Sequence, residues 1–160
     1  MEPTLDTTII SSSPEETARI AWLLGAQMAA GDVILLQGPV GAGKSHFARA
    51  LIQSRLAALD RFEDVPSPTF TLVQCYDLDS VELWHADLYR LTSPSECDEL
   101  GLVDAFESAI CLVEWPDRLG DLTPQGALLL DIRPEGDDRH LHFQSEAPRW
   151  RDRLTRLGAA

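Results

Sequence analysis

The chain has 160 residues, 44% of them hydrophobic and 24% charged, enough for one domain with a real core. Its formal net charge of −13 repels phosphate backbones, so unaided DNA or RNA binding is set aside and any nucleic acid is expected on a partner. Cys75, Cys97 and Cys111 form no CxxC pair, which argues against a disulfide framework or a zinc site and for reduced thiols. "MEPTLDTTII" lacks an apolar signal core, and no apolar run nears the ~18 residues of a membrane span; a cytoplasmic protein is expected.

In chain order, "PEETARIAWLLGAQMA" (14–29) predicts a helix. Pro14 suits its first turn, Ser13 is placed to cap it, and Ile20, Leu23, Leu24 and Met28 form its apolar face. "VILLQ" (33–37) reads as a buried strand. A helix at about 44–58 follows, with Phe47, Leu51 and Arg55 on a face shared with Ala48 and Ile52. Pro66 and Pro68 keep "DVPSPTF" (64–70) out of helix and central strand. "TLVQCYDL" and "VELWHADLYRL" read as a hairpin around "DLDS". "SPSECDELGL" (93–102) carries a Ser-Pro helix start and a glycine stop, and a second short helix fits 103–108. "AICLVEW" (109–115) is a buried strand, "PDRLGDLTPQG" a loop, and "ALLLDIR" with "RHLHF" a closing strand pair. This order suits a three-layer α/β domain with a mixed central sheet, one domain over 1–160.

The tail, at about 148–160, is the one basic patch. Residues 149–160 carry four arginines and one aspartate, a net +3, against −16 elsewhere. Trp150, Leu154 and Leu157 share a helical face. A helix docked on its own acidic domain is the simpler reading; a partner or nucleotide contact is the other.

"GPVGAGKS" (38–45) fits the phosphate-loop pattern G-x-x-x-x-G-K-[ST] between a buried strand and a helix. Its glycines let backbone N–H groups turn inward round an anion, and the helix start adds partial positive charge. Val40, Gly41, Ala42, Gly43, Lys44, Ser45 and His46 are the expected nucleotide cradle, with Lys44 reaching the β- and γ-phosphates. The Ser45 hydroxyl suits Mg²⁺, which takes oxygen ligands. The motif alone does not choose ATP over GTP, though no N/T-K-x-D guanine signature is present.

Mg²⁺ also needs a carboxylate. Glu114 ends "ICLV", where a buried strand delivers a side chain to the ligand edge of an α/β sheet; a strand-end charge in water is the plainer reading. Asp87 in "HADLYR" is the second candidate, with a salt bridge to Arg90 as its plainer reading. Ser67 and Thr69 of "SPTF" suit a switch-like loop at a γ-phosphate or an ordinary turn. His85 reads either as an acid–base group or as packed core, and Trp115 as a neighbour of the site or core filling.

Together these stretches resemble the TsaE (YjeE) family of small ATPases. The resemblance runs over nearly the whole chain, in "GDVILLQGPVGAGKSHFARAL", "VPSPTFTLVQCYD", "LWHADLYRL", "ECDELGLVD" and "ICLVEWPDRLG". It implies a P-loop NTPase-like α/β fold and Mg²⁺-dependent binding and hydrolysis of ATP in bacterial tRNA threonylcarbamoyladenosine synthesis. The implied partners are TsaB and TsaD, with TsaC in the same system; tRNA is reached only through the complex, where TsaD performs the transfer. It assigns Lys44 and Ser45 to the phosphates and metal, Glu114 and Asp87 to the acids near Mg²⁺, Thr69 to the switch-like loop, and Ser13 and Thr17 to the approach to the base. The chain departs from the family pattern at Pro39 and Val40, where an acid and leucine are usual, and at Ser45-His46, where two threonines are usual. These departures bear on turnover and partner coupling more than on nucleotide binding.

Two other function classes stay open at this level. A small-molecule P-loop kinase needs an arginine-rich lid, whereas Arg90, Arg118 and Arg139 are scattered. A nucleotide-gated binding module with negligible turnover is compatible with Pro39.

Overall fold

The structure is a computed structural model that describes residues 5–157; the first four residues of the N-terminal stretch and residues 158–160 of the tail lie outside it. In chain order the elements are β1 (Leu5–Ser11), α1 (Pro14–Gly25), β2 (Val33–Gln37), α2 (Lys44–Ala57), β3 (Val73–Asp77), β4 (Glu82–Asp87), α3 (Pro94–Glu99), α4 (Leu102–Ser108), β5 (Ile110–Glu114), a 3-10 helix (Pro116–Leu122), β6 (Leu128–Glu135), β7 (Asp138–Ser145) and α5 (Arg149–Thr155). The seven strands form one sheet in the order β1-β7-β6-β2-β5-β4-β3. Its centre is parallel, β6-β2-β5-β4, and both flanks are antiparallel. The expected mixed sheet and three-layer α/β architecture are therefore present.

The layers follow from strand periodicity. Successive side chains of a strand point to opposite faces. On β2, Ile34 and Leu36 enter a core with Ile20 and Leu24 of α1 and Phe47, Leu51 and Ile52 of α2. Val33 and Leu35 enter a second core with Cys97 of α3, Leu102 and Phe106 of α4, and Leu119. All five residues of β5 are buried, as a central parallel strand requires. At the contact of α1 with α2, a Cβ on Gly25 would lie 2.5 Å from Ser54 Oγ, so only glycine lets the two helices approach this closely.

Local chemistry sets the element ends. Ser13 caps α1 by accepting the Glu16 N–H, and Pro14 occupies the first turn. The helix stops at Gly25 rather than running to 29. There the Gln27 and Met28 amides turn to the carbonyls of Leu24 and Gly25, three residues back, and the Asp32 carboxylate takes the Ala29 N–H. Both hairpin strands are shorter than expected. β3 begins only after Leu72, which has φ 70°, and β4 ends at Asp87, past which Leu91 N–H closes a turn on Leu88. The segment expected as loop after β5 contains the 3-10 helix, interrupted at Gly120.

One further correction concerns β1, and α5 bears out the simpler reading of the tail. β1 is an edge strand paired antiparallel with β7 from Leu5↔Ser145 to Ser11↔Arg139, where the sequence predicts no element. α5 docks on the body of the protein: Trp150, Leu154 and Leu157 join the α1/α2 core, and Arg149 and Arg153 both bind Asp32. The three cysteines are free; burial pushes the Cys111 thiol up to about 12. No helix among the described residues is long and apolar enough to cross a membrane.

Candidate active site

The parallel strands β2, β4 and β5 end together, and the candidate residues gather at those ends, the edge where open α/β sheets carry ligands. After Gln37 the chain turns through residues 38–43 into α2. Gly38 has φ 146°, and a Cβ there would lie 2.4 Å from the Ile132 carbonyl oxygen. Gly43 precedes the helix at φ 113°. Both conformations favour glycine, which explains these two positions of the motif.

A cleft of about 540 Å³ opens at this edge, lined by the loop, by Lys44, Ser45 and Thr69, and by Asp87, Glu114 and Trp115. Lys44 is 6% exposed. Its ammonium donates to the Gly38 carbonyl at 2.6 Å and sits 3.4 Å from the centre of the Trp115 ring. Burial pulls its pKa below the ordinary lysine value, against the opposing pull of Glu114, Asp87 and Asp117. Trp115 adopts a left-handed backbone (φ 59°, ψ 54°), uncommon for a non-glycine residue and worth of order 1–3 kcal/mol of strain. This turn brings its ring over Lys44 and against Tyr89, 4.9 Å away. Trp115 therefore belongs to the site.

The acids are held by hydrogen-bond donors. Glu114 is 2% exposed, so it is not a strand-end charge in water. Ser45 Oγ lies 3.0 and 3.1 Å from its two carboxylate oxygens, and His85 Nε2 lies 2.7 Å from Oε2. Asp87 stands directly beside Glu114 in the β4–β5 register, and its Oδ1 accepts the Tyr89 N–H. Arg90, the alternative partner of Asp87, instead donates to the Phe70 carbonyl at 2.7 Å, bracing the "SPTF" loop. Thr69 lines the cleft and its hydroxyl lies 2.8 Å from that of Ser67.

Ser13 and Thr17 lie round a neighbouring hollow of about 300 Å³ with Ala42, Gly43, His46 and Arg139; Gly43 and His46 line both spaces. Ser13 Oγ is occupied as the α1 cap. The Ser11 hydroxyl donates to Ser13 O, so Thr17 is the donor in its 2.6 Å contact with Ser11. His46 Nε2 donates to the Pro14 carbonyl and ties α2 to α1. Val40 is exposed at the lip of the cleft.

The sequence gives Arg139 and Tyr89 no place in the site, and gives His85 one only as an alternative to packed core. Arg139 of β7 donates to the Ala42 carbonyl at 3.0 Å and braces the phosphate loop from 97 residues away, with no local signal. Tyr89 forms a wall; its place two residues after Asp87 was the available clue. His85 was noticed, but its contact with Glu114 depends on strand pairing.

The donors Ser45, Glu114 and Asp87 are all hard oxygens, the chemistry Mg²⁺ prefers, with remaining positions open to phosphate and water. No group of three His, Cys, Asp or Glu side chains suited to a metal exists among the described residues, so a protein-only cage of that kind is not what this site offers.

Comparison with known proteins identifies relatives of the chain and of its fold. Residues 11–141 match the family described as "Threonylcarbamoyl adenosine biosynthesis protein TsaE". The chain is similar to the tRNA threonylcarbamoyladenosine biosynthesis protein TsaE of Bacillus subtilis, 37% identical over 140 residues, covering 86% of this chain and 85% of that one. It is also similar to the protein of that name from Rickettsia bellii, 34% identical over 137 residues, covering 86% and 93%. Among solved structures, Bacillus subtilis YdiB superposes with a TM-score of 0.78 at 29% identity, covering 96% of this chain and 95% of that one. The chain belongs to the TsaE family of tRNA threonylcarbamoyladenosine biosynthesis, a family of P-loop NTPases.

Proposed function

We propose that this protein is a Mg²⁺-dependent ATPase that drives tRNA threonylcarbamoyladenosine synthesis in the cytoplasm by acting on a complex of TsaB and TsaD. The observation that carries the reading is the convergence at one sheet edge of the phosphate loop, with buried Lys44, and two buried carboxylates, Asp87 and Glu114, on neighbouring strand ends. A cation and inward backbone amides suit a triphosphate, and paired acids suit a metal and an attacking water.

In this reading the backbone from Val40 to Gly43 and the N–H groups of Lys44, Ser45 and His46 cradle the phosphates. The Lys44 ammonium exchanges the Gly38 carbonyl for phosphate oxygens, a stronger charge-assisted partner. Ser45, Glu114 and Asp87 would hold Mg²⁺, which would supply positive charge against the phosphates. Glu114 orients the water that attacks the γ-phosphorus, and Thr69 approaches the same phosphoryl group from the "SPTF" loop. Ser13 and Thr17 border the space for the base. The net charge of −13 fits an arrangement in which the partner complex holds the tRNA.

The test measures phosphate release at fixed Mg²⁺, with and without TsaB–TsaD, for the native chain and for Glu114→Gln. The native chain is expected to release phosphate with no metabolite acceptor. Glu114→Gln is expected to bind ATP within about threefold of native and to lose roughly 10²–10³-fold in turnover, the range for removing a positioned catalytic group. Release that depends on one metabolite would make the protein a kinase. Binding to the partners that depends on ATP without turnover would make it a nucleotide-gated module.

A further inference from the structure

His85 lies two residues before Asp87 on β4, so the two share a sheet face with Leu83. Its ring is 1% exposed, and its register partner on β5 is Leu112. Nε2 is 2.7 Å from Glu114 Oε2, whereas the buried Nδ1 has no hydrogen-bond partner. An ionised carboxylate only accepts, so this contact requires the ring hydrogen on Nε2. Packing alone is a poor account of the residue: a buried imidazole with an orphaned nitrogen costs free energy that an apolar side chain of similar volume would not. What the imidazole supplies and leucine lacks is a rigid N–H aimed at Glu114. Ser45 and His85 approach that carboxylate from two different elements, α2 and β4, and two donors from separate directions fix the plane of a group that one donor would leave free to rotate.

We propose that His85 is a positioning residue whose Nε2–H locks the Glu114 carboxylate in the orientation its work on water and metal requires; this rests on the ATPase reading above. Residues that orient the ligands of a catalytic centre typically cost 10- to 100-fold when removed. Glutamine carries an amide N–H at the reach of Nε2; asparagine carries one only at the reach of Nδ1.

The test compares the full-length native chain, His85→Leu, His85→Asn and His85→Gln for thermal unfolding, MgATP affinity by calorimetry, and kcat and KM of phosphate release with TsaB–TsaD. Ring ¹⁵N spectra of the free native and Glu114→Gln proteins accompany it. We expect His85→Leu and His85→Asn to lose about 10- to 100-fold in kcat with KM within about threefold, and His85→Gln to recover most of the loss. The ring spectrum should show hydrogen on Nε2 and a shift of that signal on Glu114→Gln. Equal kcat in all three variants, a loss that follows melting temperature rather than donor position, or a ring protonated only at Nδ1 overturns the proposal. If His85→Leu fails to fold, the Asn–Gln contrast decides it. If the native chain releases no phosphate, the ATPase reading fails on that result alone. The ring spectrum then decides whether Nε2 holds Glu114, and an Nε2 signal indifferent to Glu114→Gln overturns the contact itself.

Discussion

The two ends of β2 each gather opposite charges and a tryptophan, and they use them in contrary ways. Before β2, the Asp32 carboxylate receives Arg149 at 3.0 Å, Arg153 at 2.6 Å and the Ala29 N–H at 2.7 Å. Trp150 lies beneath both guanidiniums and donates Nε1–H to the Gly126 carbonyl at 2.8 Å. Opposite charges meet directly, and the cluster closes on itself. Beyond β2, Lys44 rests on a carbonyl and the face of Trp115, while Glu114 and Asp87 are held by Ser45, His85 and the Tyr89 N–H. Here cation and acids are kept on separate partners. The same chemistry locks a helix when charges pair and leaves a responsive site when they do not, because an ammonium on a carbonyl gains by moving to an anion.

This contrast yields separable outcomes. Trp150→Ala should cost about 3–5 kcal/mol, the range for truncating a fully buried aromatic, lowering the melting temperature by roughly 10 °C. Calorimetric ATP affinity, referred to the folded fraction, should stay within about threefold. A large affinity change would mean that the two ends are coupled.

Lys44→Ala should act the other way. Losing a charge-assisted contact to phosphate should weaken ATP binding about 100-fold, or roughly 3 kcal/mol, in equilibrium dialysis. Its melting temperature should stay near native or rise, because a buried ammonium is removed. Native affinity in this variant would remove the phosphate loop from nucleotide binding.

Asp32→Asn should cost about 1–2 kcal/mol in denaturant unfolding. The amide oxygen still accepts one hydrogen bond, and Arg149, with its side chain 42% exposed, recovers water. Turnover should not change. The smallest effect concerns Asp6, whose pKa lies below the usual aspartate value chiefly because His142 donates to it at 2.6 Å. A depressed folded pKa means that its stabilisation is present above the ordinary aspartate range and is lost as pH falls through the lowered value. Unfolding measured between pH 2 and 6 should show this acid-side loss in the native chain and its absence in Asp6→Asn.

Much of this architecture was legible from residue order. Short apolar runs marked β2, between glycines, and β5, and Ser13-Pro14 and Ser93-Pro94 marked helix starts, because caps and turns are chosen by the backbone chemistry of one or two residues. The misses have a common cause. β1 is an edge strand, half-exposed along its length, and its short alternation becomes a strand only through pairing with β7, more than 120 residues away. The end of α1 depends on Asp32 reaching back to Ala29, and the 3-10 helix depends on Leu119 finding the α3/α4 core.

Within the site, spacing alone identified the phosphate loop and nominated Glu114 and Asp87, since an anion cradle is a local backbone structure and an acid closing an apolar strand must emerge at the sheet edge. Register between β4 and β5 is a long-range property. It alone sets Asp87 beside Glu114, brings the His85 ring onto the carboxylate, and turns Arg90 to the "SPTF" loop instead of Asp87. The same holds for Arg139 under the Ala42 carbonyl and for Arg149 and Arg153 on Asp32. Local chemistry named the parts; which charge meets which partner was settled by distances between strands and helices far apart in the chain, and no residue pattern encodes those distances.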